Sequence, residues 1–246
     1  MQKLVTLQKL MQQTRPQTTT KLRLTFDSPQ LDELFPAFQT GDFAVLYGSQ
    51  TITSIMAQLC LRAGLPIEQG GLESSVVFID AANSSTLPAI YQAAEHQQQR
   101  EPKEALEQIQ TLRAYTAYRL HWLIIDELEQ IIKKSEAKLV VISDLICPFL
   151  TANVDDHEAR AAYNQIINHL SNFAKKQGII IIATNLPHEN NSRTRTLQEI
   201  TTAKADIILR HTKTPYTSDI ELEKHPTYML GVMDYTPEIK TLSDYY

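Results

Sequence analysis

The sequence is 246 residues long and carries 23 Lys plus Arg against 28 Asp plus Glu, a net charge of −5 at pH 7. This length suffices for one large domain with a full core, and the 43% hydrophobic content excludes wholesale disorder. No apolar run approaches the ~18 residues of a membrane span, and residues 1–7 lack the apolar core of a signal peptide. These features predict a cytoplasmic or nucleoid-associated protein without membrane contact. Cys60 and Cys147, each in an apolar run, are interpreted as reduced core residues.

Residues 1–20 are predicted to form an arm that is distinct from the rest of the chain. A polar segment that contains Pro16, residues 12–20, is typical of a linker. The apolar positions before it recur at helical spacing and are Leu4, Leu7, Leu10 and Met11. This stripe fits two interpretations equally well: a frayed helix that packs on its own domain, or an interface segment that docks on a neighbouring subunit.

Residues 21–246 are predicted to form one core domain in which strands and helices alternate. Buried-strand runs are predicted over 43–47, 76–80, 139–142, 179–184 and 207–209, with a last strand over 228–233. Helices are predicted over 55–61, 86–100, 117–134 and 159–176. Continuous β-branched runs separated by helices are typical of a parallel sheet that is covered on both faces. The pattern therefore predicts a doubly wound α/β fold.

The order of landmarks along this core is more specific than the fold class. In chain order they are LDEL at 31–34, QTGD at 39–42, Gly48 after a strand, LPI at 65–67, Gly70-Gly71, FID at 78–80, RAY at 113–115 and ATN at 183–185. This succession resembles the core domain of the RecA/RadA recombinase family, in its archaeal and eukaryotic branch, over roughly residues 22–211. The resemblance implies a RecA-like P-loop NTPase fold with a mostly parallel central sheet and helices on both faces.

The segment after the first core strand departs from the P-loop of that family. A P-loop needs a Gly-rich turn, a Lys that reaches the β- and γ-phosphates, and a Ser or Thr hydroxyl that binds Mg²⁺. Here Gly48 remains, but Thr53 stands at the second glycine position, Ser54 at the lysine position and Ile55 at the hydroxyl position. A pseudo-ATPase without a cofactor is therefore expected. Nucleotide binding without turnover, through Gly48 and the following helix N-terminus, stays an open alternative.

Other positions of the resemblance lack their expected chemistry as well. The general-base Glu, two residues after Asp80, is replaced by Ala82, and the sensor Gln by Leu186. The acidic residue that ends the third strand falls on Ser143, with Asp144 one residue later and predicted to point to the other face. No metal site is expected, because the histidines and cysteines show neither His-x-x-x-His nor Cys-x-x-Cys spacing. The isolated histidines are interpreted as surface or capping residues.

The resemblance also implies two loops that hold single-stranded DNA. The first falls on residues 150–158, which are acidic and should repel phosphates. The second falls on residues 187–204 and carries Arg193, Arg195 and Lys204. It is interpreted either as an ordinary solvated loop or as a weak, sequence-independent DNA contact. The net charge of −5 argues against strong autonomous binding of DNA.

Together these features predict a catalytically inactive RadA-like paralogue that serves as an accessory or mediator subunit in homologous recombination and DNA repair. Its expected partners are a RadA-like recombinase, other recombinase paralogues or further copies of itself, with weak binding of single-stranded DNA. The alternative is a structural, non-ATPase subunit of a ring of RecA-like domains, similar to the Elongator subunits and unrelated to recombination. A KaiC-type regulator is a third alternative. Residues 65–67, Gly70-Gly71 and 113–115 favour the recombinase branch.

Overall fold

The computed structural model describes residues 21–82, 86–96, 101–150 and 155–235. The predicted interface residues of the arm, Leu4, Leu7, Leu10 and Met11, lie outside these residues. The described chain begins with a small antiparallel pair, β1 (Arg23–Leu24) and β2 (Phe38–Gln39), which flanks helix α1 (Pro29–Leu34). Three phenylalanines, Phe26, Phe35 and Phe38, pack edge to face or tilted around this unit.

The main sheet has eight strands in the order β10-β9-β8-β3-β7-β6-β4-β5. Their bounds are β3 Phe43–Gly48, β4 Val76–Asp80, β5 Ile109–Arg113, β6 Leu139–Ser143, β7 Ile180–Asn185, β8 Ile207–Lys213, β9 Ser218–Lys224 and β10 Gly231–Asp234. The run from β8 to β5 is parallel, and β9 and β10 add antiparallel strands at one side. The prediction of a mostly parallel sheet is confirmed.

Helices cover both faces of this sheet, as the sequence predicts. Their bounds are α2 Ile52–Ala63, α3 Thr86–His96, α4 Pro102–Glu107, α5 Ala117–Trp122, α6 Leu128–Ser135, α7 Asp156–Gln177 and α8 Ser192–Lys204. Successive residues of β3 alternate between the faces, so Ala44 joins one apolar cluster with α2, α3 and α4. Val45 joins the other cluster, with α5 to α8. Among the described residues, no helix combines the length and apolarity needed to cross a bilayer.

Several predicted helix and strand boundaries differ from those in the structure. The helix predicted over 117–134 is interrupted by a π-helical turn, Leu123–Glu127, between α5 and α6. The helix predicted to begin at Ala159 begins at Asp156, and the last strand begins at Gly231 rather than at residue 228. These changes leave the topology intact. The carboxyl ends of β3, β6 and β7 lie at one edge, where open α/β sheets bind ligands.

Candidate functional site

The turn that follows β3 is packed tightly against the neighbouring strand β8. Gly48 has φ +117°, and a Cβ atom there would lie 2.1 Å from the carbonyl oxygen of His211. The next residue, Ser49, donates its backbone N–H to the same oxygen at 2.8 Å. Close approach of two backbones therefore requires glycine at position 48, independently of any phosphate.

Backbone N–H groups of this turn are bonded within the turn itself. Ile52 N–H donates to Ser49 O at 3.2 Å, Thr53 N–H to Gln50 O at 3.0 Å, and Ser54 N–H to Thr51 O at 3.0 Å. These are i to i+3 bonds of the 3₁₀ kind, which lead directly into α2. A phosphate-binding loop presents its N–H groups to the anion, whereas these groups already have acceptors.

The positions that resemble the working residues of a P-loop are closed to solvent. Thr53 is 1% exposed, and Ser54 and Ile55 are 0% exposed, within the first turn of α2. The Thr53 hydroxyl donates to Gln50 O at 2.8 Å. These three side chains carry no charge.

His211 of β8 connects this turn to the start of the neighbouring strand β9. Its ring is 1% exposed, with Nδ1 2.6 Å from Ser49 Oγ and Nε2 3.1 Å from Ser218 Oγ. Because Ser218 donates its hydroxyl proton to Tyr235 O, His211 Nε2 is the donor in its bond to Ser218 Oγ. The interpretation of the histidines as surface or capping residues is wrong for His211.

The end of β4 carries a buried carboxylate that accepts a hydrogen bond from a tyrosine. Asp80 is 1% exposed and accepts a hydrogen bond from the Tyr115 hydroxyl at 3.1 Å. It stands opposite Ser143 of β6, which is also 1% exposed. The side chain at the expected general-base position is the methyl group of Ala82, which cannot accept a proton.

The carboxylate one residue after β6 is buried as well and pairs with a histidine. Asp144 has a left-handed φ of +51° and is 2% exposed. His188 Nε2 lies 2.9 Å from each carboxylate oxygen, and the Leu186 N–H donates to Oδ1 at 3.4 Å. The hydrogen bond to Asp144 raises the pKa of His188, which favours the imidazolium–carboxylate pair.

Cys147 joins this pair, contrary to its interpretation as an apolar core residue. It lies in a 3₁₀ turn after β6, is half-buried, and is a free thiol. Burial raises the pKa of the Cys147 thiol to about 11, and the negative charges of Asp144 and Asp80 add to this. One ligand atom from each of Asp144, Cys147 and His188 lies within 4.8 Å of the others. Cys60, in contrast, is buried in the core as expected.

The structure separates the three basic residues that the sequence assigns to a DNA-binding loop. Residues 192–204 form helix α8, so the loop prediction is wrong there. Arg193 forms an ion pair with Asp156 and donates to Phe149 O at 3.3 Å. Arg195 is two residues farther along α8 and therefore points away from Arg193, whereas Lys204, about three turns on, returns to the Arg193 side. The three cations do not form one patch.

The acidic segment 155–158, which belongs to the first implied DNA loop, forms the N-terminus of helix α7. Asp155 caps α7 by accepting the N–H groups of His157 at 2.9 Å and Glu158 at 3.4 Å. Asp156 and Glu158 lie in the first helical turn. Carboxylates stabilise a helix N-terminus through the orphan N–H groups and the helix dipole. Residues 151–154 lie outside the described part of the chain.

The sequence is similar to a known protein family and to characterised members of it. A family model described as Rad51 matches residues 17–213. A DNA repair and recombination protein RadA of Aeropyrum pernix is 27% identical over 175 residues, which is 70% of this chain and 54% of the relative. The RadA of Metallosphaera sedula is 29% identical over 160 residues, 63% of this chain and 45% of the relative. The chain thus spans about half the length of these curated relatives.

The eight-stranded, mostly parallel sheet with helices on both faces is a RecA-like core. The matched segment covers most of the sequence, so the chain belongs to the Rad51 family. Its described domain is a RadA-like recombinase core. Sequence reasoning found this core, but it missed the Asp144–Cys147–His188 cluster. The cluster could have been predicted from the positions of Asp144 and His188, because these residues follow the carboxyl ends of β6 and β7, which are neighbouring strands in the sheet.

Proposed function

We propose that this chain is a catalytically inactive member of the Rad51 family that serves as an accessory or mediator subunit in homologous recombination and DNA repair. The observation that carries the proposal is the turn after β3. Its N–H groups at Ile52, Thr53 and Ser54 are bonded internally, and its side chains offer no cation. The family membership supplies the process in which such a subunit would act.

Opening this turn for a nucleotide would be costly. Three backbone hydrogen bonds, each worth about 0.5–1.5 kcal/mol, would have to break. A γ-phosphate would then face neither a lysine nor a general base, since Ser54 and Ala82 occupy those positions.

The catalytic part of the proposal predicts no ATP hydrolysis above background, with or without single-stranded DNA. A RadA protein assayed in parallel serves as the positive control. Ser54→Lys should not create activity, because Ala82 still provides no base. DNA-stimulated turnover by the unaltered chain would refute the inactive assignment.

Association with an active recombinase is the mediator part of the proposal. We propose that the arm supplies the contact, because Leu4, Leu7 and Leu10 form an apolar stripe in the sequence. Pull-down with the RadA-like recombinase of the same organism should succeed without ATP. Joint replacement of these leucines by serine should abolish it, whereas serine at Gln2, Gln8 and Gln12 should not. Failure of the unaltered chain to capture the recombinase would refute the mediator role and favour the ring-subunit alternative.

Weak binding of single-stranded DNA is a secondary part of the proposal, supported by the exposed cations of α8. Arg195 and Lys204 are exposed, whereas Arg193 already pairs with Asp156. Arg195→Ala or Lys204→Ala should weaken binding and flatten its salt dependence by about one phosphate contact. Arg193→Ala is the matched control and should change binding less. Unchanged affinity in both test variants would place the contact elsewhere.

A further inference from the structure

Two segments that lie far apart in the sequence meet at the carboxyl edge of β6 and β7. The turn after β6 supplies Asp144 and Cys147, and the segment after β7 supplies His188. One oxygen, one sulfur and one ring nitrogen lie within 4.8 Å of one another. The set contains three chemically different ligand types, and it lies outside the turn that follows β3.

This combination of donors fits zinc better than magnesium. Thiolate and imidazole are borderline to soft ligands that Zn²⁺ accepts, whereas Mg²⁺ takes oxygen ligands and keeps its waters. Zn²⁺ bonds of about 2.0–2.3 Å in a tetrahedron place neighbouring ligand atoms about 3.3–3.6 Å apart. His188 Nε2 lies 2.9 Å from each Asp144 oxygen, so these atoms must move apart slightly to admit the ion, and a Cys147 ligand atom lies within 4.8 Å of both residues.

The backbone around the cluster orients the carboxylate. The Asp144 N–H donates to Thr184 Oγ1 at 2.9 Å, and the Leu186 N–H donates to Asp144 Oδ1 at 3.4 Å. Such outer hydrogen bonds fix the direction of a metal ligand and are part of most protein metal sites. Both donors and acceptors belong to the two strand ends that carry the cluster, so the site is braced from both sides.

A divalent cation could take over the role of charge partner that His188 has for Asp144. Asp144 is 2% exposed, and a buried carboxylate needs a partner of opposite charge. Within the described ranges, its recorded ion pair is with His188, whose side chain is 20% exposed. Binding of a divalent ion would release the protons of the Cys147 thiol and the His188 ring, and the ion would then neutralise the Asp144 carboxylate and the Cys147 thiolate together.

We propose that Asp144, Cys147 and His188 form a zinc-binding site with three protein ligands and solvent in the fourth coordination position. The site ties the ends of β6 and β7 together. It is independent of the proposed function, because a bound zinc ion requires neither a recombinase partner nor a lost ATPase activity.

Cobalt substitution tests the thiolate directly, and the two cysteines of the chain provide the control. Co²⁺ added to the intact metal-free protein should bind with 1:1 stoichiometry and produce a near-ultraviolet thiolate-to-cobalt charge-transfer band. Cys147→Ala should abolish the band, whereas Cys60→Ala should retain it, because Cys60 is buried in the apolar core. Persistence of the band in Cys147→Ala would overturn the assignment.

Zinc competition against a chromophoric chelator tests the imidazole. His188→Gln should weaken Zn²⁺ binding by more than about 100-fold, since outer-shell partners alone are worth about 10–100-fold. His121→Gln is the matched control, because His121 is bonded to the exposed Gln165 side chain at 2.9 Å. Circular dichroism verifies that the variants are folded. Lack of stoichiometric Zn²⁺ uptake by the unaltered chain, or equal affinity of the two histidine variants, would overturn the proposal.

Discussion

Replacing Gly48 by alanine tests whether this glycine serves backbone packing rather than phosphate binding. The residue is the one glycine that the turn after β3 shares with a P-loop. Its φ of +117° is unfavourable for an L-residue, and its Cβ would lie 2.1 Å from His211 O. We therefore expect Gly48→Ala to reduce the stability of the protein measured without added nucleotide.

The size of the effect follows from three contributions. Holding alanine at φ +117° costs about 1–3 kcal/mol. Forcing the turn away from His211 weakens the Ser49 N–H bond to the same oxygen, worth about 1 kcal/mol. Displacing packed backbone adds about 1–3 kcal/mol, as for other overpacked sites. The free energy of unfolding should fall by about 3–7 kcal/mol, which lowers Tm by at least about 6 °C for a chain of this size.

Gly178→Ala provides the matched control for this measurement. Gly178 ends α7 at φ +62°, but a Cβ there meets no atom within 4 Å. Its replacement should cost only the left-handed backbone penalty, about 1–2 kcal/mol. Thermal and urea unfolding of both variants gives the comparison. If Gly48→Ala is no less stable than Gly178→Ala, the packing explanation is refuted.

Three further substitutions test other contacts. His225 Nδ1 accepts hydrogen bonds from the N–H groups of Thr227 and Tyr228. Burial lowers the pKa of His225 in the folded protein, so the unfolded chain binds the proton more readily and the free energy of unfolding decreases below about pH 6.5. The Asn side chain of His225→Asn offers an acceptor but does not titrate, so the Tm of this variant should fall less between pH 7.5 and pH 5.5 than the Tm of the unaltered chain. An equal fall in Tm for both proteins would contradict this. Tyr163→Phe removes the 2.6 Å hydroxyl contact with Thr201 and should cost about 1 kcal/mol in urea unfolding, with no loss counting against the buried bond. Arg62→Lys loses a fork that donates to Thr25 O at 2.9 Å and Gln69 O at 2.7 Å, and should cost about 2–3 kcal/mol; an unchanged urea midpoint would contradict it.

The buried strands were predictable because each needs a continuous apolar run. Segments 76–80 and 139–142 appear almost unchanged as β4 and β6, and both are buried throughout. β5 and β9 were missed, because both are only partly buried and lack such a run. The position of Gly48 at the end of β3 was also predictable, since a glycine directly after an apolar run is a local pattern.

Helix α8 shows where local pattern was insufficient. Residues 192–204 are rich in polar and β-branched side chains, and only Thr194, Leu197 and Thr201 are buried. That narrow buried stripe becomes favourable only when α8 packs on α7, where the Thr201 hydroxyl meets Tyr163. Tertiary packing therefore decided that the basic residues lie on different faces of a helix rather than together in a loop.

The sequence by itself determined the α/β class and the family resemblance, because both are expressed in local spacing. Only the tertiary structure decided that Asp144 and Cys147 lie beside His188, and that Gly48 packs against the backbone of His211. It also decided that Arg193 forms an ion pair with Asp156. Each of these contacts joins residues that are more than thirty positions apart. The sheet order that brings β6 beside β7, and β3 beside β8, creates the first two contacts, and the packing of α8 on α7 creates the third. Local periodicity reports which face a residue occupies, but the neighbour across that face depends on how the strands are arranged.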